Sequence, residues 1–163
     1  MTIIVRPALL EDAPEMVSLI NAIIAQGGTT AHQTAFDDNR MIGHYLAPKL
    51  IISCQVAHEG DALLGFQSVK WPSSDSRPKD WGIIATFVKD GQQGKGVGSA
   101  LFLATRNEAT LAGVAAIDAT IRADNFAGLA FYEKMGFRED GRLKDVSLTD
   151  GTKVDRIQKA LSL

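Results

Sequence analysis

The segment Phe87-Val88-Lys89-Asp90-Gly91-Gln92-Gln93-Gly94-Lys95-Gly96-Val97-Gly98-Ser99 narrows the architecture more than any other stretch of the chain. It follows Gly82–Val88, a short apolar run that reads as a buried strand. It leads into Ser99–Ala112, a predicted helix with Val97, Leu101 and Ala104 on one face and Gly113 at its end. Gly91, Gly94, Gly96 and Gly98 let the backbone turn tightly and let a ligand approach the main chain. The first amides of a helix have no internal partner and carry a partial positive charge. A strand, a glycine-rich turn and a helix N-terminus in that order form a cradle for phosphate, and Lys95 adds one cation.

Two familiar phosphate loops fit poorly. A P-loop needs Lys followed by Ser or Thr, so that a hydroxyl reaches magnesium; here Gly96 follows Lys95. A dinucleotide loop needs glycines at its first, third and sixth positions, and counting from Gly94 the sixth is Ser99. Asp118 lies at roughly the 20-residue spacing of a ribose-binding acid, but it falls inside a predicted strand. The 65 residues after Gly98 are too few for the rest of a doubly wound sheet.

Around the loop, strands and helices alternate. Thr2–Arg6 is a β-branched run closed by Pro7. Asp12-Ala13-Pro14-Glu15 reads as a helix start: Asp12 can accept from the orphan amides, Pro14 sits in the first turn, and Glu15 holds the capping-box position. Met16, Ile20, Ile23 and Ile24 follow at helical spacing, and Gly27-Gly28 ends the helix. Phe36–Leu46 is a second short helix before Pro48. Leu50–His58 and Ala62–Val69, split by Glu59-Gly60-Asp61, form a hairpin. Trp71–Asp80 is a loop, Ala115–Arg122 a strand, and Asn125–Met135 a helix stopped by Gly136. Phe137–Leu143 and Val154–Leu161 are final strands around Thr149-Asp150-Gly151. The order β α α β β β α β α β β predicts an α/β (α+β) fold. Its core is a mixed, mostly antiparallel central sheet of about seven strands flanked by about four helices.

Composition bounds the rest. A length of 163 residues fits a single domain, 1–163, with one sizeable core. The chain is 45% hydrophobic and 22% charged, which excludes disorder as the main state. The net charge of −2 gives no general drive toward nucleic acid or an anionic membrane. No apolar run reaches transmembrane length, and MTIIVRPALLED does not read as a signal peptide. The lone Cys54 excludes an internal disulfide and a cysteine metal cage, and lies in an apolar strand as core. His32, His44 and His58 lack metal-ligand spacing, so no metal is expected. The expected location is cytoplasmic.

Two motifs carry a resemblance. Gln93-Gly94-Lys95-Gly96-Val97-Gly98 matches Q/R-x-x-G-x-G/A. Asn125-Phe126-Ala127-Gly128-Leu129-Ala130-Phe131-Tyr132-Glu133-Lys134-Met135-Gly136-Phe137 resembles N-x-x-A/G-x-x-x-Y-E-K-x-G-F. With Val5-Arg6-Pro7-Ala8 and Asp12-Ala13 upstream, and with the same element order, essentially the whole chain resembles the GNAT superfamily of N-acetyltransferases. Arg6–Phe36, with its Thr-rich loop, is similar to the phosphinothricin-acetyltransferase branch.

The resemblance implies acetyl-CoA as co-substrate, no metal, and direct transfer to the amine of a small molecule in a ternary complex. It gives the pyrophosphate to the amides of Gly94, Lys95, Gly96, Val97, Gly98 and Ser99, with Gln93 beside them. It gives the pantetheine arm to the backbone of Phe87 and Val88, because an open strand edge accepts an extended amide-bearing ligand. Asn125 reaches that arm, caps its helix, or does both. Tyr132 protonates the departing thiolate, or else packs its helix onto the sheet. Lys134 touches the CoA phosphates or is simply solvated. Phe36, His32 and Trp71 are acceptor-pocket candidates by the same resemblance, and Trp71 and Trp81 read equally as core shields. Nucleic acid and membrane are not expected as partners. Phe137–Leu143 and Val154–Leu161 offer strand edges through which a homodimer can form.

One departure stands out. Many relatives carry a Glu where this chain has Ile83, and Gly82–Val88 contains no carboxylate. Either the base comes from elsewhere, with His32, Asp37, Asp38 and Asp80 as candidates by loop position, or water relays the proton, or the acceptor amine is weakly basic. The same gap supports a rival reading, a non-catalytic acyl-CoA-binding sensor that regulates a partner. A second rival is a nucleotide-binding protein that uses the same glycine loop.

Overall fold

The computed structural model describes residues 2–163. The chain forms β1 (Ile4–Pro7), α1 (Ala13–Gln26), α2 (Asp38–Met41), β2 (Ile51–Glu59), β3 (Ala62–Lys70) and β4 (Trp81–Val88). It continues through α3 (Val97–Leu111), β5 (Ala116–Arg122), α4 (Phe126–Lys134), β6 (Arg138–Ser147) and β7 (Lys153–Ser162). The strands make one seven-stranded sheet in the order β1-β2-β3-β4-β5-β7-β6. Among the described residues, β4 and β5 are the parallel neighbours and the other pairs are antiparallel. The mixed sheet and the element order agree with the expectation.

Strand alternation distributes the core over both faces. Val56 and Phe66 pack with Met16, Ile20 and Tyr45 on the α1–α2 side. Their neighbour Ala57 packs with Val97 and Leu101 of α3. Phe102 of α3, Ile117 of β5, Tyr132 of α4 and Phe137 form a further cluster. Helices α3 and α4 approach closely at Gly98, where an added Cβ would lie 2.7 Å from the Phe131 ring.

Three local expectations change. Asp12 does not cap α1: it lies at the end of a 3-10 turn, and its carboxylate faces backward. It accepts two bonds from the Arg6 guanidinium at 2.8 Å and one from the Leu9 amide at 2.7 Å. A bidentate charged pair outweighs a single cap bond. The predicted second helix is one α-turn, Asp38–Met41, capped by the Asp37 carboxylate on the Arg40 amide, that runs into a π-turn over Ile42–Leu46. Finally, Val154–Leu161 is no edge. β7 is inserted between β5 and β6, so β6 alone leaves an open side at that end of the sheet.

Candidate active site

The site is built where two strands part. β4 and β5 pair through Trp81–Ala116, Gly82–Ile117 and Ile83–Asp118, and no further. Beyond that point Ile84–Val88 remain paired with β3 on one side, and Ala119–Arg122 with β7 on the other. The wedge between them is a cavity of about 420 Å³, a size suited to a small ligand. Ile83–Phe87 form one wall and Asp118–Arg122 the other, with Tyr132 and Asn125 reaching in from α4 and its cap.

At the end of β4 the glycine loop prepares the start of α3. Gly94 and Gly96 adopt φ of +77° and +89°, which L side chains avoid. Among the described residues, the amides of Gly94 to Ser99 find no backbone acceptor; the first helical bond is Ala100 N–H to the Gly96 carbonyl. Val97 is buried against Ala57 and Leu101, so it offers the loop only its amide. Gln93 turns back on its own loop: its Oε1 accepts from the Gly91 amide at 3.0 Å and its Nε2 donates to the Val88 carbonyl at 3.4 Å. It braces the turn. A row of unpaired amides at a helix start can hold an anion.

Tyr132 is buried, and its hydroxyl lies 2.8 Å from Thr86 Oγ1 on β4. Burial raises its pKa, against the pull of the Thr86 bond, so it is a neutral phenol at physiological pH. Asn125 caps α4, accepting from the Gly128 amide, and also donates to the Thr29 carbonyl. It therefore ties the polar Thr29–Gln33 stretch to the rim of the cavity.

The far side of the cavity carries positive charge. His32 Nε2 meets the Tyr45 hydroxyl at 2.7 Å, and the His44 ring lies 5.3 Å away, centroid to centroid. Burial pushes His32 down to about 4, helped by His44, Arg40, Lys70 and Arg156; burial and nearby cations do the same to His44. Both rings are therefore neutral at physiological pH. Lys70 donates to the His44 carbonyl, and Arg156 to the Thr120 carbonyl. Burial lowers the pKa of each. The cavity's one carboxylate, Asp118, is claimed by Arg77 at 2.7 Å and by the Thr120 hydroxyl. Arg77 also grips Asp140 with two bonds, and Arg122 is held by Asp124. Lys70 and Arg156 are left without a carboxylate partner among the described residues.

The other expected positions divide. His32 is on the cavity wall. Phe36 stands behind it, buried and edge-on to the His32 ring. Trp71 lines an adjacent cleft of about 350 Å³ with Leu50, Lys70 and Ile83. Asp37, Asp38 and Asp80 line neither space. Cys54 is buried and its thiol is pushed up to about 12, so it is inert. No group of His, Cys, Asp or Glu among the described residues could hold a metal ion. Among the described residues, no helix is long and apolar enough to cross a membrane.

The family model of the acetyltransferase (GNAT) family matches residues 12–137. The chain belongs to that family. This GNAT chain is 37% identical over 78 residues to mycothiol acetyltransferase of Kocuria rhizophila; the match takes in 47% of the chain and 26% of that protein. The chain thus spans about a quarter of the length of that curated relative. Solved structures agree on the fold. An N-acetyltransferase of Staphylococcus aureus superposes with a TM-score of 0.83 over 99% of both chains at 21% identity. The yncA protein of Salmonella typhimurium, solved with its cofactor acetyl-CoA, superposes at 0.87 over 100% of this chain and 95% of its own, at 22% identity. A phosphinothricin N-acetyltransferase-like protein reaches 0.83 over 99% of both chains at 22% identity.

Several residues of the GNAT chain's cavity carry no role in the sequence reading: Tyr45, Lys70, Arg77, Thr86 and Arg156, with Asp118 weighed there only as a ribose-binding acid. A signal existed for some. Thr86 and Asp118 are polar residues inside apolar strand runs, as is Gln67 behind them, and a buried polar side chain needs a reason.

Proposed function

We propose that the chain transfers an acetyl group from acetyl-CoA to the amine of a small molecule, by direct attack in a ternary complex. The observation that carries this reading is the parting of β4 from β5 after Ile83, with unpaired amides at Gly94–Ser99 at one end and the Tyr132 hydroxyl on the wall. Family membership and the acetyl-CoA bound by the Salmonella protein support it.

In this reading the amides of Gly94–Ser99 hold the pyrophosphate, braced by Gln93, and Lys95 adds charge. The free side of β4 at Phe87 and Val88 pairs with the pantetheine arm, and Asn125 orders the rim. A neutral amine attacks the thioester carbonyl, forming the C–N bond. A strand amide that faces the wedge, that of Val88, steadies the oxyanion. The C–S bond then breaks and Tyr132 protonates the sulfur. The amine's surplus proton leaves through solvent, and the phenolate recovers one from there. Inert Cys54 gives no acyl-enzyme route.

No carboxylate lies on β4 to take the amine's first proton. The cavity works differently. The surroundings that keep His32 neutral also disfavour an ammonium, so the amine binds unprotonated. Lys70 and Arg156 favour an acceptor that carries an oxyanion on the same molecule. A net charge of −2 mildly favours a small or cationic acceptor, but the local charge points the other way. His32 and Tyr45 line the amine's approach, Phe36 backs His32, and Trp71 borders the neighbouring cleft.

Initial-rate kinetics with acetyl-CoA and amine both varied test this. Intersecting lines are expected, and parallel lines would contradict direct transfer. The missing β4 carboxylate also favours the sensor reading. Acetyl-CoA binding without thiol release from any amine would select it.

A further inference from the structure

Gln67 of β3 is fully buried and touches no ligand-facing surface, yet it is bonded to the candidate acid through one intermediary. Its Nε2 donates to Thr86 Oγ1 at 2.9 Å, and Thr86 Oγ1 lies 2.8 Å from the Tyr132 hydroxyl. Its Oε1 has no partner. The amide orientation follows from the chemistry of the two ends. Turned over, the side chain would leave two N–H donors unpaired in the core; as placed it leaves one N–H and the carbonyl oxygen, and a buried carbonyl oxygen goes unpaired more readily than an N–H.

We propose that Gln67 is a positioning residue for the acid step, acting through Thr86 to aim the Tyr132 phenolic proton into the cleft. This rests on the acetyltransferase reading. A hydroxyl has a single proton to give. An amide N–H can only donate, so Thr86 Oγ1 accepts from Gln67, and its own proton is free for the Tyr132 oxygen. In that arrangement Thr86 donates to Tyr132, and the phenolic proton is left for the sulfur. With an acceptor in place of the Gln67 amide, the chain reverses: Thr86 donates backward and Tyr132 donates to Thr86, away from the reaction.

The same chain eases the transfer itself. A thiol ordinarily titrates near 8.5 and a phenol near 10, and burial raises Tyr132 further. Giving the proton to the thiolate is therefore uphill. A phenolate that receives a hydrogen bond from Thr86, itself polarised by Gln67, is less costly to form.

The test is a double-mutant cycle, read as kcat for CoA release from acetyl-CoA with a panel of the standard L-amino acids, beside the acetyl-CoA dissociation constant. Tyr132→Phe should lower kcat about a hundredfold. Gln67→Met should lower it about tenfold with unchanged acetyl-CoA affinity, and Gln67→Glu at least as far. In the Tyr132→Phe background Gln67→Met should change kcat less than twofold, because nothing remains to aim. Thr86→Val should behave like Gln67→Met, and Thr86→Ser should restore activity; this pair carries the test where Gln67 variants fail to fold. Equal losses with and without Tyr132 would mean that Gln67 acts only on packing, and would overturn the proposal alone. An unchanged kcat in Tyr132→Phe would remove the acid role and this inference with it.

Discussion

Ile83 and Asp118 form the last rung between β4 and β5, and beyond them the two strands go separate ways. The Asp118 carboxylate is buried at that fork and bonded to Arg77, which also holds Asp140 of β6. The Trp71–Asp80 loop is thereby tied to the closed end of the wedge. Removing the cation would leave a buried carboxylate with the Thr120 hydroxyl as its remaining partner. Arg77→Met should cost about 3 kcal/mol, measured by urea denaturation, with exposed Lys79→Met as a control near zero. A loss below about 1 kcal/mol, the scale of an exposed pair, would contradict this role for the pair.

Two glycines of the loop answer to different forces. Gly94 has open space around it and a positive φ, so Gly94→Ala strains backbone alone, at about 1–2 kcal/mol. Gly98 has an ordinary φ, but a Cβ added there would lie 2.7 Å from the Phe131 ring. Gly98→Ala should cost about 1–3 kcal/mol by overpacking, and Phe131→Leu in the same chain should recover part of it. Thermal denaturation of the three variants reads the difference. No recovery in the double variant would argue against the α3–α4 contact as the cause.

The histidine pair makes stability depend on pH. His32 and His44 titrate at about 4 when folded, against 6.5 for the free side chain. Between those values the unfolded chain binds more protons. Their contribution is therefore complete above pH 6.5 and is lost as pH falls toward 4. Denaturation midpoints at pH 7 and pH 5 should differ less in a His32→Asn, His44→Asn variant than in the parent. An equal difference would place the acid sensitivity elsewhere.

Much of this was readable from residue patterns, and the failures share a cause. Strand and helix types follow from local spacing, so the element order and the glycine loop were legible, and Tyr132 came from motif position. Asp12 misled because its partner, Arg6, lies on the preceding strand and claims the carboxylate only after folding. The insertion of β7 between β5 and β6 is a pairing choice between sequence-distant strands. The cationic wall was hidden for the same reason: Lys70 ends β3, Arg156 lies on β7, and His44 belongs to the π-turn. Net charge says nothing of where such side chains converge.

That wall makes a prediction about substrates. Arg156 has one buried nitrogen, Nε, without a partner, and no carboxylate among the described residues forms an ion pair with it. A charge-assisted bond is worth about 1.5–3 kcal/mol. Arg156→Gln should therefore raise KM about tenfold or more for an amine that bears a carboxylate, with kcat within about twofold. The KM for the matching carboxamide should not change. Equal effects on both substrates would dissociate Arg156 from acceptor charge.

The most direct test of the whole account follows the backbone amides by two-dimensional NMR while CoA is added. The amide signals of Gly94 to Ser99 should move most, together with those of Ala85 to Val88 along the free side of β4, and Tyr132→Phe should leave that pattern intact. Shifts confined to other surfaces, or none at CoA concentrations that saturate relatives of this fold, would contradict a thioester arm lying between β4 and β5.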